Sequence, residues 1–155
     1  DAPDTDFTAR LIDVHPASAD YPRGYAMNLT DGILRLRYAE DPTTPRLRPR
    51  AAGGAAAGAE VAAARITLFP TANLFLQGHR IRLDISSSNF PKFDVNPNTG
   101  APEGPSRRRR IAANTVYMDA DRPSRVVLPC ERDASASLSR RVRLPLLEPG
   151  KARRR

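Results

Sequence analysis

Four groups of residues in this chain are of types that can do chemistry: the consecutive serines Ser86, Ser87 and Ser88, the two histidines His15 and His79, the single thiol Cys130, and the Asx series Asp94, Asn96 and Asn98. A serine nucleophile needs a base to take its proton and a sharp turn to expose its Oγ, the turn that a G-x-S-x-G string makes. No G-x-S-x-G occurs in the sequence, and the three serines close an alternating apolar segment without flanking glycines. Hydrogen bonding in a bulge or loop accounts for them. His15 precedes a proline and His79 follows a glycine; with no activated nucleophile beside them, both read as structural. Cys130 has neither histidine near it in sequence, and a reactive thiolate needs such a neighbour, so it reads as a bystander thiol. Two histidines and one cysteine without short spacing do not spell a zinc site.

The string D-x-N-x-N at 94–98 opens like an EF-hand loop, but Pro97 interrupts it, Thr99 stands where the glycine belongs and Pro105 where the bidentate glutamate belongs. Asx side chains capping their own turns explain the composition better. Asn28-Leu29-Thr30 fits a glycosylation sequon and is read as part of a strand. No catalytic, cofactor-binding or metal-binding residue is therefore assigned from the sequence, and the chain by itself is expected to be inactive.

The elements that would position these residues are strands. Residues 6–14, DFTARLIDV, alternate with Phe7, Ala9, Leu11 and Asp13 on one side and Thr8, Arg10, Ile12 and Val14 on the other. Both sides carry apolar groups, which suits a strand covered on two faces. His15-Pro16 ends it, because proline restrains its predecessor and cannot extend a ladder. Tyr25 to Leu29 read as a short strand, Asp31-Gly32 as a tight turn, and Ile33 to Tyr38 as the returning strand, with Arg35 and Arg37 facing solvent or a neighbouring domain. Glu60 to Phe69 read as a strand, Pro70 to Asn73 as a bend, and Gln77-Gly78 as a turn. The next strand has Ile81, Leu83 and Ile85 against Arg80, Arg82 and Asp84. Asn89 to Gly104 form a long Asx/Pro loop, and Asn114 to Met118 and Arg125 to Leu128 are the last strands, around an Asp/Pro turn at 119–123. About seven short strands without a helix indicate an all-β sandwich.

Size and charge set the limits. The 155 residues suffice for one domain with a core, and no apolar run is long enough to cross a bilayer as a helix. A single cysteine excludes an internal disulfide. The formal charge of +8 is concentrated: Arg107 to Arg110 supply four positive charges, and residues 131–155 hold eight basic and three acidic side chains. The rest of the chain is close to neutral and lacks the interleaved aromatics of a stacking platform, so no specific nucleic-acid partner and no membrane partner are expected. Residues 41–58, rich in Pro, Ala, Gly and Arg, have no apolar pattern with which to bury anything and read as a mobile surface insert. Residues 131–155 read as an Arg-rich disordered tail. Domain organisation is thus one domain over 1–130, with the insert inside it and the tail after it.

Several strings together resemble a known family. DAPDTDFTARLIDVHP at 1–16, YAMNLTDGILRLRY at 25–38, ITLFPTANLFLQGHRIRLDISSSNFPKFDVNPNTG at 66–100 and ANTVYMDADRPSRVVLP at 113–129 are similar, in that order, to the C-terminal β-sandwich of the CocE/NonD serine hydrolases. That is the family of cocaine esterase, α-amino acid ester hydrolases and X-Pro dipeptidyl-peptidases. The insert and the tail depart from it. The resemblance implies a jelly-roll, galactose-binding-like β-sandwich that carries none of the catalytic triad, which lies in an α/β-hydrolase domain of the same polypeptide. The family's sandwich has strands before its DTDF block, so the chain reads as a jelly roll lacking its N-terminal strands, with an exposed apolar face and a tendency to aggregate alone. The resemblance also implies a parent enzyme cleaving esters or amides through an acyl-enzyme, with the sandwich packed on the hydrolase domain and walling its substrate pocket. Phe90 and Phe93 are the expected apolar anchors of that contact, in a loop with Asn89, Asp94, Asn96 and Asn98. The alternatives are a stand-alone jelly-roll module binding carbohydrate or protein, against which stands the absence of Trp and the low count of four Tyr, and a relic gene fragment. No cofactor is implied. Substrate, compartment and homo-oligomerisation of the full-length enzyme stay open.

Overall fold

The computed structural model describes residues 1–48, 61–102, 104 and 107–130. The chain divides into two compact units, Asp1–Val116 and Tyr117–Arg155. The expected disordered tail at 131–155 and the Ala/Gly-rich part of the insert lie outside the described residues.

The first unit is built on three antiparallel strands, β1 (Asp6–His15), β2 (Tyr25–Arg35) and β3 (Arg80–Ser86), in the order β2-β1-β3. Among the described residues only β1 is paired on both edges, and both of its faces hold buried side chains, Ala9 and Leu11 on one and Thr8 and Ile12 on the other. Its Ala9, Leu11 and Ile12 are the buried apolar core of the described residues. The register sets Ala9, Leu11 and Asp13 across from Ile85, Leu83 and Ile81, all on one face, and Thr8, Arg10, Ile12 and Val14 across from Ser86, Asp84, Arg82 and Arg80 on the other. β1 stops at His15, ahead of Pro16.

The hairpin expected at Asp31-Gly32 does not form. β2 runs unbroken from Tyr25 to Arg35, and the irregularity is a bulge opposite Leu11 and Ile12. Asp-Gly has a different use here. The Thr67 backbone passes so close to Gly32 that a Cβ at that position would lie 2.5 Å from the Thr67 carbonyl oxygen. Glycine marks a close backbone approach, which a tight turn and a crossing both demand. Asp31 is buried and accepts the Phe69 N–H on its carbonyl, while the Thr30 hydroxyl donates to the Phe69 carbonyl at 2.7 Å. These bonds seat Phe69, the end of the expected strand at 60–69, against β2, and among the described residues 61–69, 114–118 and 125–128 form no ladder. The described part of the fold thus has three strands where about seven are expected. A three-residue 3₁₀ turn, Leu36–Tyr38, replaces the end of the expected strand at 33–38.

Arg37 does not face solvent, and Arg35 does so only in part. Arg37 is buried and pairs with Asp4 at 2.8 Å, and Arg35 pairs with Asp6 at 3.0 Å. The insert is also partly tied down: the Arg46 and Arg48 amides donate to the Arg37 and Pro3 carbonyls, and Arg48 is buried. More polar than apolar side chains are fully buried among the described residues, whereas Ile81, Leu83 and Ile85 of β3 lie 37–43% exposed. An apolar stripe on an edge strand is a surface that a partner element normally covers.

The described part of the second unit, residues 117–130, contains a turn at 119–122. The Arg122 amide and guanidinium both donate to Asp119, and the Arg122 guanidinium lies 4.0 Å from the centroid of the Tyr117 ring.

Candidate functional site

The loop after β3 crosses the polar face of the sheet, and buried carboxylates hold it at two points. Asn89 is the first. Its amide nitrogen donates to Asp31, its oxygen accepts from Arg10, and Lys92 adds an ion pair to Asp31 at 2.6 Å. Asn96 is the second. Its amide nitrogen donates to Asp4 at 2.9 Å and to Asp6 at 2.7 Å, and its oxygen accepts the Asn98 N–H. Asp4 and Asp6 are essentially inaccessible to water, so each needs every hydrogen bond that it receives. Asn98 adopts φ 59°, a left-handed conformation that asparagine tolerates, and its side chain donates to the Arg110 carbonyl. Asn96 and Asn98 are therefore turned to the protein and not to a shared ion, which removes the EF-hand-like reading of 94–98.

Between the two anchors the loop is pushed outward. Phe90 is 70% exposed, preceding a cis Phe90–Pro91 bond. Asp94 is exposed, and Phe93 is half-buried, with the Lys92 ammonium 5.7 Å from its ring centroid. Phe93 and Asp94 border an open cleft of about 210 Å³ with Asp6, Ile33 and Arg35. The six residues singled out from the sequence thus serve two purposes: Asn89, Asn96 and Asn98 brace the loop from inside, while Phe90, Asp94 and one side of Phe93 are presented outward. The serines of 86–88 also brace it. The Ser86 carbonyl accepts from Thr8, the Ser87 hydroxyl accepts from Asn114 and the Ser88 hydroxyl accepts the Phe90 N–H.

On the opposite face, at the far end of β1, the fold assembles a group that sequence spacing concealed. Gln77-Gly78 form the expected turn, closed by the His79 N–H donating to the Leu76 carbonyl, with Gly78 at φ 87° where a side chain would be strained. The turn sets His79 beside His15, one step beyond the last paired residues of β1 and β3, with ring centroids 4.2 Å apart. Asp13 meets both rings: its Oδ1 lies 2.9 Å from His79 Nδ1, and its Oδ2 lies 3.5 Å from His15 Nε2 and accepts from the Asn73 amide at 3.1 Å. Burial pushes the Asp13 carboxyl up, but the hydrogen bonds from His79 and Asn73 and the nearby imidazoles outweigh it and hold the pKa below the ordinary aspartate value. The signal was present in the sequence only as a register: pairing Leu11 with Leu83 brings His15 to His79.

Residues 1–127 match the X-Pro dipeptidyl-peptidase C-terminal non-catalytic domain. The chain belongs to that domain family. Cocaine esterase from Rhodococcus sp. (strain MB1 Bresler) is 40% identical over 130 residues, which are 83% of this chain and 20% of that protein. The crystal structure of an aminopeptidase from the marine sediment archaeon Thaumarchaeota archaeon superposes with a TM-score of 0.55 at 34% identity, covering 65% of this chain and 16% of that one. A selenomethionine-labelled α-amino acid ester hydrolase is 33% identical over 65% of this chain and 16% of its own, with a TM-score of 0.48. This non-catalytic domain therefore spans a fifth or less of the length of the proteins it matches. The resemblance to the CocE/NonD hydrolases holds, and within that family the domain is the C-terminal part that does no catalysis.

Proposed function

We propose that the chain works as the docking domain of a CocE/NonD-type serine hydrolase, packing on the α/β-hydrolase domain of the same polypeptide through the loop 89–98 and helping to wall its substrate pocket. Hydrolysis of an ester or amide through an acyl-enzyme then belongs to a Ser-His-Asp triad outside these residues. The observation that carries the reading is Phe90: a large aromatic, 70% exposed, on a loop fixed at both ends by buried asparagines. Interfaces are anchored by such rigidly presented aromatics. An aromatic side chain buries roughly 150–250 Å², so covering the exposed part of Phe90 removes about 140 Å² from water and stabilises the docked state by at most about 3.5 kcal/mol at ~25 cal/mol per Å². The apolar stripe of Ile81, Leu83 and Ile85 supports a partner on the second face as well.

The test is Phe90→Ala, alone and with Phe93→Ala, in the full-length protein. Lower stability together with a change in kcat/KM is the expected result. Unchanged stability and unchanged kinetics overturn the proposal.

A further inference from the structure

We propose that Asp13, His15 and His79 form a binding site for a divalent transition-metal ion, with zinc the ion that their donor atoms fit best. One donor atom from each lies within 4.8 Å of the other two. Zinc holds nitrogen and oxygen ligands at about 2.0–2.1 Å in a tetrahedron, which places neighbouring donors about 3.3 Å apart. Asp13 reaches the two imidazoles through different oxygens, Oδ1 at 2.9 Å from His79 Nδ1 and Oδ2 at 3.5 Å from His15 Nε2, both close to that spacing, so either oxygen is near enough to share an ion with a ring nitrogen. The carboxylate needs a small rotation and the His15 ring a modest shift toward His79 to complete the set.

Three further features favour a metal over a plain ion-pair cluster. His15 Nε2 is buried without a hydrogen-bond partner among the described residues, a costly arrangement that a metal bond removes. The His15 ring is already oriented by stacking on Tyr25, with centroids 4.1 Å apart and planes 16° from parallel. Asn73 donates to Asp13 Oδ2, the oxygen nearer His15, and leaves Oδ1 to His79, a contact of the kind that orients metal-binding carboxylates. Two imidazoles and one carboxylate suit zinc, nickel and copper, whereas calcium and magnesium take oxygen ligands. The side chains of His15 and His79 are 20% and 9% exposed, so the cluster lies just beneath the surface, and three protein donors leave the fourth tetrahedral position to water. Binding would clip the end of β1 to the start of β3.

The experiment uses the full-length protein stripped of metal by a chelator. Zinc binding is followed by calorimetry, and cobalt serves as a spectroscopic probe. The test variants are His15→Phe, which keeps the stack on Tyr25, and His79→Gln. Expected are one saturable equivalent in the wild type, a d–d spectrum without thiolate charge transfer, and a loss of affinity in each variant beyond the roughly 10–100-fold that outer contacts cost. Equal zinc binding by wild type and His15→Phe overturns the proposal. So does a thiolate charge-transfer band that disappears in Cys130→Ser. Circular dichroism of His15→Phe without metal distinguishes a lost ligand from a lost fold.

Discussion

Removing the Asn96 amide should open the loop 89–98 from the sheet. Its Nδ2 donates to two buried carboxylates, Asp4 and Asp6, and a hydrogen bond to a charged group contributes about 1.5–3 kcal/mol. Asn96→Ala therefore costs up to about 6 kcal/mol if both bonds are lost without replacement, and about 3 kcal/mol if water reaches one of the carboxylates through the vacated space. Either figure is a large share of the 5–15 kcal/mol that hold a typical domain together. Asn96→Asp is the sharper probe, since it sets a third carboxylate against Asp4 and Asp6. Like charges and burial raise the folded-state pKa of the new group above its unfolded value. Protonation then favours the folded state, so the deficit of this variant is largest at neutral pH and shrinks as pH falls through the raised pKa. The assay is native-state hydrogen exchange in the full-length protein, read at the amides of 89–98 and of β1, because it reports local opening free energies. An Asn96→Ala variant whose opening free energies stay within about 0.5 kcal/mol of wild type, the usual range of surface substitutions, refutes the reasoning.

Three other perturbations test the rest of the frame. Gly32→Ala drives a methyl to 2.5 Å from the Thr67 carbonyl oxygen, so it should destabilise by about 1–3 kcal/mol in urea denaturation, and a neutral result would remove the crossing as the reason for glycine there. Arg37→Ala leaves Asp4 buried beside a lost guanidinium and should cost about 3–5 kcal/mol, whereas Arg82→Ala, which breaks an exposed pair with Asp84, should cost under about 1 kcal/mol; equal effects would contradict the assigned burial. The Arg122 hydrogen bond holds the Asp119 carboxyl below the ordinary value of 3.8. The turn is thus stabilised above the unfolded pKa and loses that support as pH falls through the folded one, a titration that carbon NMR of the side chain reads directly and that Arg122→Ala should move part of the way up towards the ordinary value, the backbone N–H bond to Asp119 being kept.

The legible parts of the fold were those in which one residue pattern has one physical solution. β1 declared itself because both its faces carry apolar groups, and β3 because its arginines and aliphatics alternate strictly. His15-Pro16 and Gln77-Gly78 behaved as terminator and turn for backbone reasons alone. Asp31-Gly32 was illegible because a tight turn and a close crossing select the same glycine, and only Thr67, far along the chain, distinguishes them. The burial of Arg37, expected towards solvent or a neighbouring domain, and of Asn96, expected in a turn-capping, domain-facing loop, is not legible, since the carboxylates that justify it sit at Asp4 and Asp6, close in space and distant in sequence. The outward loop was found by composition, its two Phe standing among polar residues, but its division into inward asparagines and an outward Phe90 required coordinates. The meeting of His15 and His79 required the strand register.

The central claim is that Phe90 docks on a hydrolase domain. A photo-crosslinking phenylalanine analogue at position 90 of the full-length protein, followed by mass spectrometry of the cross-linked peptides, tests it most directly. The account predicts cross-links from position 90 into the hydrolase domain and none from Tyr21, which is 52% exposed at the end of the sheet remote from the loop. Cross-links from Tyr21 with none from position 90 would contradict it.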